Sequence, residues 1–491
     1  MIDDIKDLSI IERKKLINRR AFWRNTAICI VPAILAVGLM TLFSLFMTKN
    51  FLSAFTAANG LATAGRFISN FLLVAVLFLG VNFNSRESGR PVLNFILALI
   101  MCAITYISCL AASGYLNIYA MPVALVTLVL IVLLDKRTTI LATAIVAIML
   151  VVSFMFNSEE ASKLLLSQAI ASIVCNSLGA VSINFFSDRH FTRLKFLLVS
   201  FVAAMSVFPF VIASTLAGGI YTITILWNMI YSYGANVAAI LVFMPLVAIF
   251  EGVFNIADDF RLNELCNLSN PLLKRLASEA PGTFNHSLVV GNLAEACATA
   301  IDENPNLARC AAYYHDIGKL KAPVYFSENQ STYNPHDELI PEVSVSMITS
   351  HTVFGEILAK QYRLPPEIVA ICREHHGTTP VGYFYRKALT LTEEGGLAVD
   401  NYKYAGPMPQ TKIAAIIMIS DTVEAALRSY MPDTKEEFEK RINKLVDEKL
   451  ELRQFDECPI TMSDIWKIKR TIIEVLPSIH HSRVSYDKKP Q

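Results

Sequence analysis

Apolar residues run in long, nearly uncharged blocks through the first half of the chain and return at helical spacing, among charged residues, through the second. Eight blocks, at about 26–47, 66–83, 91–112, 117–134, 138–156, 164–186, 194–218 and 224–250, approach the roughly 20 apolar residues that a helix needs to cross a hydrocarbon core. An even number of crossings puts both ends on one side. From about residue 258 onward the apolar period is that of a helix, with Gly and Pro punctuation and no sustained alternation. The expected fold class is therefore all-α. A basic segment over 1–25 precedes a polytopic membrane domain over 26–250, then a linker helix over 251–280 and a second all-helical domain over 281–485.

Charge sharpens the division. Residues 26–250 hold only fifteen Asp, Glu, Lys or Arg side chains, and the other 266 residues hold seventy. The chain is 54% hydrophobic with mean hydropathy +0.45, too apolar for a soluble protein of 491 residues. Basic residues of short loops favour the cytoplasm. Arg13, Lys14, Lys15, Arg19, Arg20 and Arg24 precede the first block, and alternate loops carry Arg86 with Arg90, Lys136 with Arg137, and Arg189 with Arg193 and Lys195. The opposite loops are uncharged, nearly neutral, or acidic at Glu159 and Glu160. Both ends are thus expected in the cytoplasm. The first block is too long for a signal peptide and has no clear small-residue cleavage site. No block carries an acid paired with a base, which disfavours a transporter. A net charge of +1 argues against a nucleic acid polymer as partner. The nine cysteines contain no CxxC pair and read as reduced thiols.

Six of the nine histidines lie between residues 286 and 376. Neutral imidazoles and carboxylates are good ligands of divalent metals. His286 falls on the apolar stripe Val290, Leu293, Cys297, Ile301. His315 and Asp316 end an apolar helix, with Gly318 placed to stop it. His375 and His376 end the helix opened by Pro365 and Pro366, and Gly377 follows as a second stop. His351 begins the stretch Val353, Phe354, Ile357, Leu358. Asp421 sits on the apolar face Ala414, Ile417, Ala425, where a lone carboxylate is costly and needs a partner. Each residue alone has an ordinary reading as core or helix-end residue; together they suggest two adjacent ions and an activated water. Lys319, one turn beyond His315, is expected either to face the same cavity and steady phosphate oxygens or to be a solvated lysine. Asn334 and His336 are expected in a polar loop with substrate contact. His480 and His481 are assigned no chemistry, and the stretch Thr378 to Gln410 reads as a long loop and candidate lid.

The ordered set His286, His315-Asp316, His351, His375-His376, Asp421 resembles the signature of HD-domain phosphohydrolases. The strings PGTFNHS (281–287), YYHDIGK (313–319), FSENQ (326–330), NPHD (334–337), EHHGT (374–378) and YAGPMPQTK (404–412) resemble those of the seven-transmembrane HD family, the PgpH-type cyclic-di-AMP phosphodiesterases. The likeness covers residue 251 to the C-terminus and the helix count upstream. It implies two divalent ions, Fe or Mn, bridged by Asp316. His286, His315 and Asp421 would serve one ion and His351 with His375 the other, while His376 would ligate or orient. It also implies hydrolysis of cyclic di-AMP to the linear dinucleotide pApA, with Asp316 and Lys319 as catalytic residues. Two departures stand out. Only residues 48–65 are available for the large extracytoplasmic domain usual in the family, and Ile413 and Ser420 stand where an acidic and a small apolar residue are commoner. The expected partners are a cyclic dinucleotide and the lipid bilayer, and a homodimer is compatible with the reading. The competing readings are an HD phosphohydrolase acting on another cyclic dinucleotide or nucleotide, and a non-catalytic membrane receptor that uses the domain as a ligand-binding output.

Overall fold

The structure is a computed structural model describing residues 10–47, 57–84, 90–156, 163–187, 192–219, 223–330, 332–391, 398–430, 432 and 434–479. Arg86, Glu159, Glu160, Arg189, His480 and His481 lie outside these. Among the described residues there is no strand beyond an isolated bridge between Pro380 and Lys403, which bears out the all-α expectation. The chain divides into two compact units, Met1–Phe250 and Glu251–Gln491.

The first unit contains α1 (Ile10–Met47), α2 (Ala57–Asn84), α3 (Pro91–Tyr115), α4 (Ala124–Leu133), α5 (Lys136–Met155), α6 (Lys163–Phe186), α7 (Arg193–Ala204) and α8 (Val207–Ala217). The last helix, α9 (Thr224–Phe254), starts here and ends in the second unit. Its surface is apolar: Leu35, Leu72, Phe185 and Val202 are each more than half exposed. Polar residues such as Asn176, Ser232 and Asn236 are buried instead. Apolar outside and hydrogen-bonded polar inside is the arrangement that a hydrocarbon solvent favours. Seven helices among the described residues, α7 with α8 counting as one, are long and apolar enough to cross a membrane, so the chain reads as a membrane protein.

The block at 117–134 departs from expectation. Only Ala124–Leu133 is helical, ten residues, and all ten are buried. At 1.5 Å per residue it spans about 15 Å, half a bilayer core. Its hydropathy reflects enclosure by protein rather than contact with lipid. Pro122 just before the helix contributes no backbone donor, and the carbonyls of the non-helical approach are met by α6: Ser172 Oγ donates to Ile118 O at 2.7 Å and Asn176 Nδ2 to Tyr119 O at 3.2 Å. Backbone left unpaired in an apolar interior costs several kcal/mol per group, so the break is held by these side chains.

The second unit contains α10 (Asp259–Leu265), α11 (Pro271–Glu279), α12 (Pro281–Ala300), α13 (Pro305–Tyr314), α14 (Pro341–Gln361), α15 (Pro366–Glu374), α16 (Gly382–Leu391), α17 (Lys412–Ser429), α18 (Lys435–Glu451) and α19 (Met462–Ile479). Two helices, α10 and α11, occupy the stretch expected to hold one linker helix. The break comes at Asn270, whose side chain caps Leu272 N ahead of Pro271, and Leu262, Leu272, Leu273 and Leu276 pack into the domain core. The expected loop 378–410 likewise contains α16. Gly and Pro lie at its ends, whereas Phe384 and Ala388, four apart, bury one helical face beside Tyr402. One core cluster joins α12, α17, α18 and α19, and a second joins α10, α11, α13 and α15. The polar site lies between them.

Candidate metal centre

Five separate stretches deliver the polar side chains. His286 lies in the second turn of α12, His315 and Asp316 follow α13, His351 lies within α14, His375 and His376 follow α15, and Asp421 lies within α17. All but His376 are buried. The helix α13 ends before His315, so Gly318 does not act as its stop. A Cβ on Gly318 would meet His351 O at 1.9 Å and Gly355 N at 2.5 Å. Its role is close approach, holding the turn after Asp316 against α14. Gly377, with φ +55°, does end the His375-His376 turn in the left-handed conformation that a helix terminus favours.

The imidazoles are aimed by their own backbones. His315 Nδ1 lies 2.6 Å from Ala312 O, His351 Nδ1 2.6 Å from Ile348 O, and His375 Nδ1 3.1 Å from Ile371 O. A carbonyl only accepts, so each Nδ1 donates and each Nε2 presents a lone pair. Those lone pairs converge on Asp316. His315 Nε2 lies 3.3 Å from its Oδ2, and His351 and His375 Nε2 lie 3.3 and 3.6 Å from its Oδ1. His351 and His375 Nε2 face each other at 3.1 Å. His315 Nε2 and both Asp316 oxygens are buried without a hydrogen-bond partner. Acceptors packed against acceptors in a dry site are unfavourable without a cation among them.

Two groups share the aspartate: Asp316 with His351, His375 and His376, and Asp316 with His286 and His315, each with ligand atoms within 4.8 Å of one another. Asp421 joins the second, its Oδ1 3.0 Å from His286 Nε2 and 3.9 Å from His315 Nε2. His376 Nδ1 is 3.6 Å from Asp421 Oδ2, and its ring stacks on Tyr404 with centroids 4.3 Å apart. The donor set is imidazole and carboxylate throughout, suited to Fe, Mn or Zn.

Lys319 Nζ stands 2.7 Å from Asp316 Oδ2, an ion pair outside hydrogen-bond angles, and 2.7 Å from Glu328 Oε1, to which it donates. Its side chain lies beside Asp316 rather than in solvent. Burial works against ionising Asp316, but the Lys319 ammonium beside it outweighs that and holds the carboxyl well below its usual range. Burial likewise opposes the charge on Lys319, and Asp316 and Glu328 more than restore it. Burial first, then the neighbouring imidazoles, push His375 down to about 4 and keep it neutral. His286 differs. Burial opposes its charge, yet Asp421 and Glu424 raise its pKa to about 9.

Two acids escaped the sequence reading. Glu424 bonds His286 Nδ1 and so turns its Nε2 toward Asp421, the carboxylate-to-imidazole support common behind metal ligands. A signal existed, since Glu424 stands three residues beyond Asp421 on a buried helix face. Glu328, within the FSENQ string, accepts from Thr283 Oγ1 at 2.9 Å as well as from Lys319. Asn334 and His336 are not brought to the cluster. Asn334 Oδ1 caps His336 N at 3.2 Å, and His336 Nε2 bonds Tyr325 O at 2.8 Å with its ring against Phe384. Both serve their own loop.

Residues 283–426 match the model of the HD domain family. The chain carries an HD domain. Likeness to relatives reaches beyond it into the membrane half. The cyclic-di-AMP phosphodiesterase PgpH of Bacillus subtilis (strain 168) is 34% identical over 436 residues, covering 85% of this chain and 60% of that protein. PgpH of Listeria monocytogenes serotype 1/2a (strain 10403S) is 32% identical over 432 residues, covering 86% and 58%. This chain thus spans about 60% of the length of these curated relatives. A crystal structure of the L. monocytogenes PgpH HD domain in complex with cyclic-di-AMP is 45% identical, covers 44% of this chain and 100% of that one, and aligns with a TM-score of 0.42.

Proposed function

We propose that this chain is a membrane-bound, metal-dependent phosphodiesterase that hydrolyses cyclic di-AMP to pApA. One observation carries the reading: His315 Nε2 and both Asp316 oxygens are buried without a hydrogen-bond partner, at the point shared by two groups of imidazole and carboxylate ligand atoms from four stretches. The names of the two PgpH relatives supply the substrate.

Two divalent ions, Fe or Mn, would supply Lewis acidity at the phosphoryl oxygens and an acidified water. His286, His315 and Asp421 would hold one, and His351, His375 and His376 the other, with Asp316 common to both groups. Glu424 orients His286 and stabilises its Nδ1 proton. Lys319 keeps its charge because Asp316 and Glu328 flank it, and that charge offsets the negative charge that grows on the phosphate during in-line attack. Core clusters on either side exclude water, which strengthens each of these interactions.

The membrane half reads as eight crossings with both ends in the cytoplasm of a bacterium. Seven are the long helices, and residues 116–133 make the eighth as a broken crossing. The basic loops at Arg90, at Lys136 with Arg137, and at Arg193 with Lys195 then share the cytoplasmic side with the HD domain.

The test uses the full chain, purified in detergent and loaded with Mn, against cyclic di-AMP, cyclic di-GMP and deoxynucleoside triphosphates. Release of pApA from cyclic di-AMP, abolished by chelator, is the expected result. Rapid turnover of another member of the panel with none of cyclic di-AMP overturns the substrate. Fewer than one ion per chain, with nucleotide bound but uncleaved, points instead to a receptor.

A further inference from the structure

A cavity of about 850 Å³ opens beside α15, lined by Pro366, Val369, Ala370 and Arg373 of that helix, in the volume range of small-ligand sites. Four cations line it, Arg261, Lys360, Arg363 and Arg373, against two carboxylates, Glu356 and Glu374. The acids are engaged elsewhere. Glu356 pairs with Lys360 at 2.5 Å and Arg373 at 3.8 Å, and Glu374 accepts from Gln410 N at 3.0 Å. Arg261 donates to the carbonyls of Ile256 and Arg363 at 3.1 and 2.8 Å, bonds that orient its guanidinium without neutralising it. The Arg363 side chain has no hydrogen bond or ion pair among the described residues. Its backbone takes φ +53° at the end of α14, a position that glycine or asparagine ordinarily fills. Two positive charges are thus in excess around an open space.

Covalent connection places the cavity. Gly252 and Asn255 form part of its wall, and they are the last turn of α9 and the residue after it. The apolar run of α9 ends only residues earlier. With α9 in a bilayer, a cavity walled by that turn would lie at the headgroup level of the leaflet that α9 leaves. Anionic headgroups concentrate basic juxtamembrane residues there, and guanidinium forks match phosphate oxygens in pairs.

We infer that this cavity binds a phosphate-ester anion, supplied by the headgroup of an anionic phospholipid. The inference rests on α9 lying in a bilayer and not on the phosphodiesterase reading. It ties lipid composition to the domain, because one wall of the cavity is the helix that ends at His375 and His376.

The experiment is a binding titration of the full chain in dodecyl maltoside with dihexanoyl phosphatidylglycerol, dihexanoyl phosphatidylcholine or sn-glycerol 3-phosphate. The variants are Lys360→Gln/Arg363→Gln at the cavity, Lys360→Gln alone, and Lys435→Gln/Lys444→Gln as an equal charge change on exposed α18. Phosphatidylglycerol is expected to bind at least tenfold more tightly than phosphatidylcholine. Lys360→Gln/Arg363→Gln abolishes that preference, Lys360→Gln alone reduces it several-fold, and Lys435→Gln/Lys444→Gln keeps it. Binding unchanged by Asp316→Asn separates this cavity from the metal centre, so failure of one reading does not imply failure of the other. Glycerol 3-phosphate binding with the same Lys360 and Arg363 dependence supports the anion site but transfers it to a soluble ester. Equal binding of the two lipids, or preference surviving both cavity variants, overturns the inference.

Discussion

Both halves of the molecule bury polar side chains, but they do so in opposite ways. Around Asn176 in the first half, donors meet acceptors: Ser232 Oγ and Asn236 Nδ2 donate to Asn176 Oδ1 at 2.9 and 3.2 Å, while Asn176 Nδ2 donates to Tyr119 O. Around Asp316 in the second half, acceptors meet acceptors, with two imidazole lone pairs 3.1 Å apart. In the first cluster each of these donors finds an acceptor, with Asn236 Oδ1 left without a partner, and the cluster serves the fold, pinning the broken approach to α4. The second leaves His315 Nε2 and both Asp316 oxygens without a hydrogen-bond partner even with Lys319 beside them, and its ligand atoms could hold a metal ion. Burial alone does not separate a structural polar cluster from a functional one; the balance of donors and acceptors does.

The strongest break in this contrast is removal of the shared carboxylate. Asp316→Asn is expected to lower hydrolysis of cyclic di-AMP on the order of a thousandfold, as the loss of a few kcal/mol of metal-borne stabilisation implies. Elemental analysis of the same variant checks that bound metal falls with it. Glu424→Gln keeps the shape but weakens the grip on the His286 proton. Metal affinity or rate should fall about 10- to 100-fold, read from chelator competition and initial rates.

Chelation is predicted to separate the halves thermally. An ion at about 100 times its dissociation constant stabilises its site by about 2.7 kcal/mol, so stripping ions lowers the unfolding temperature of the HD domain. The membrane unit keeps its own. Scanning calorimetry of the full chain with and without chelator reads both transitions, and a common shift would erase the distinction drawn here. Asn176→Ala has the smallest expected effect and the opposite location. Leaving Ser232, Asn236 and Tyr119 O short of partners costs about 1–3 kcal/mol in the stability of the membrane unit, with metal content and turnover unchanged.

Individual residues show how far the sequence could be read. His286 and Asp421 each sat on an apolar stripe, and a polar residue on a buried face is visible from spacing alone. Glu424 sat on a buried face too, one turn beyond Asp421, but nothing in its spacing names a partner. In the structure the Arg428 Nη1 to Glu424 distance is 3.9 Å and His286 is the near partner. Gly318 read as a helix stop because both roles of glycine look identical in one dimension. Only the proximity of the His351 carbonyl reveals which applies. The segment 117–134 had the hydropathy of a crossing, yet hydropathy cannot tell a residue enclosed by other helices from one facing lipid.

The sequence by itself determined what local period and composition can encode: an all-helical chain, an apolar half and a polar half, and an ordered series of imidazoles and carboxylates at helix ends and on buried faces. Tertiary structure decided everything that depends on direction and on distant partners. His286 meets Glu424 across 138 positions, and His351 meets His375 across 24. A side chain's lone pair points where its own backbone and its neighbours turn it, and no residue spacing specifies that. The physical reason is range: helical periodicity repeats every 3.6 residues, whereas a metal site is closed by contacts among helices that the chain visits far apart.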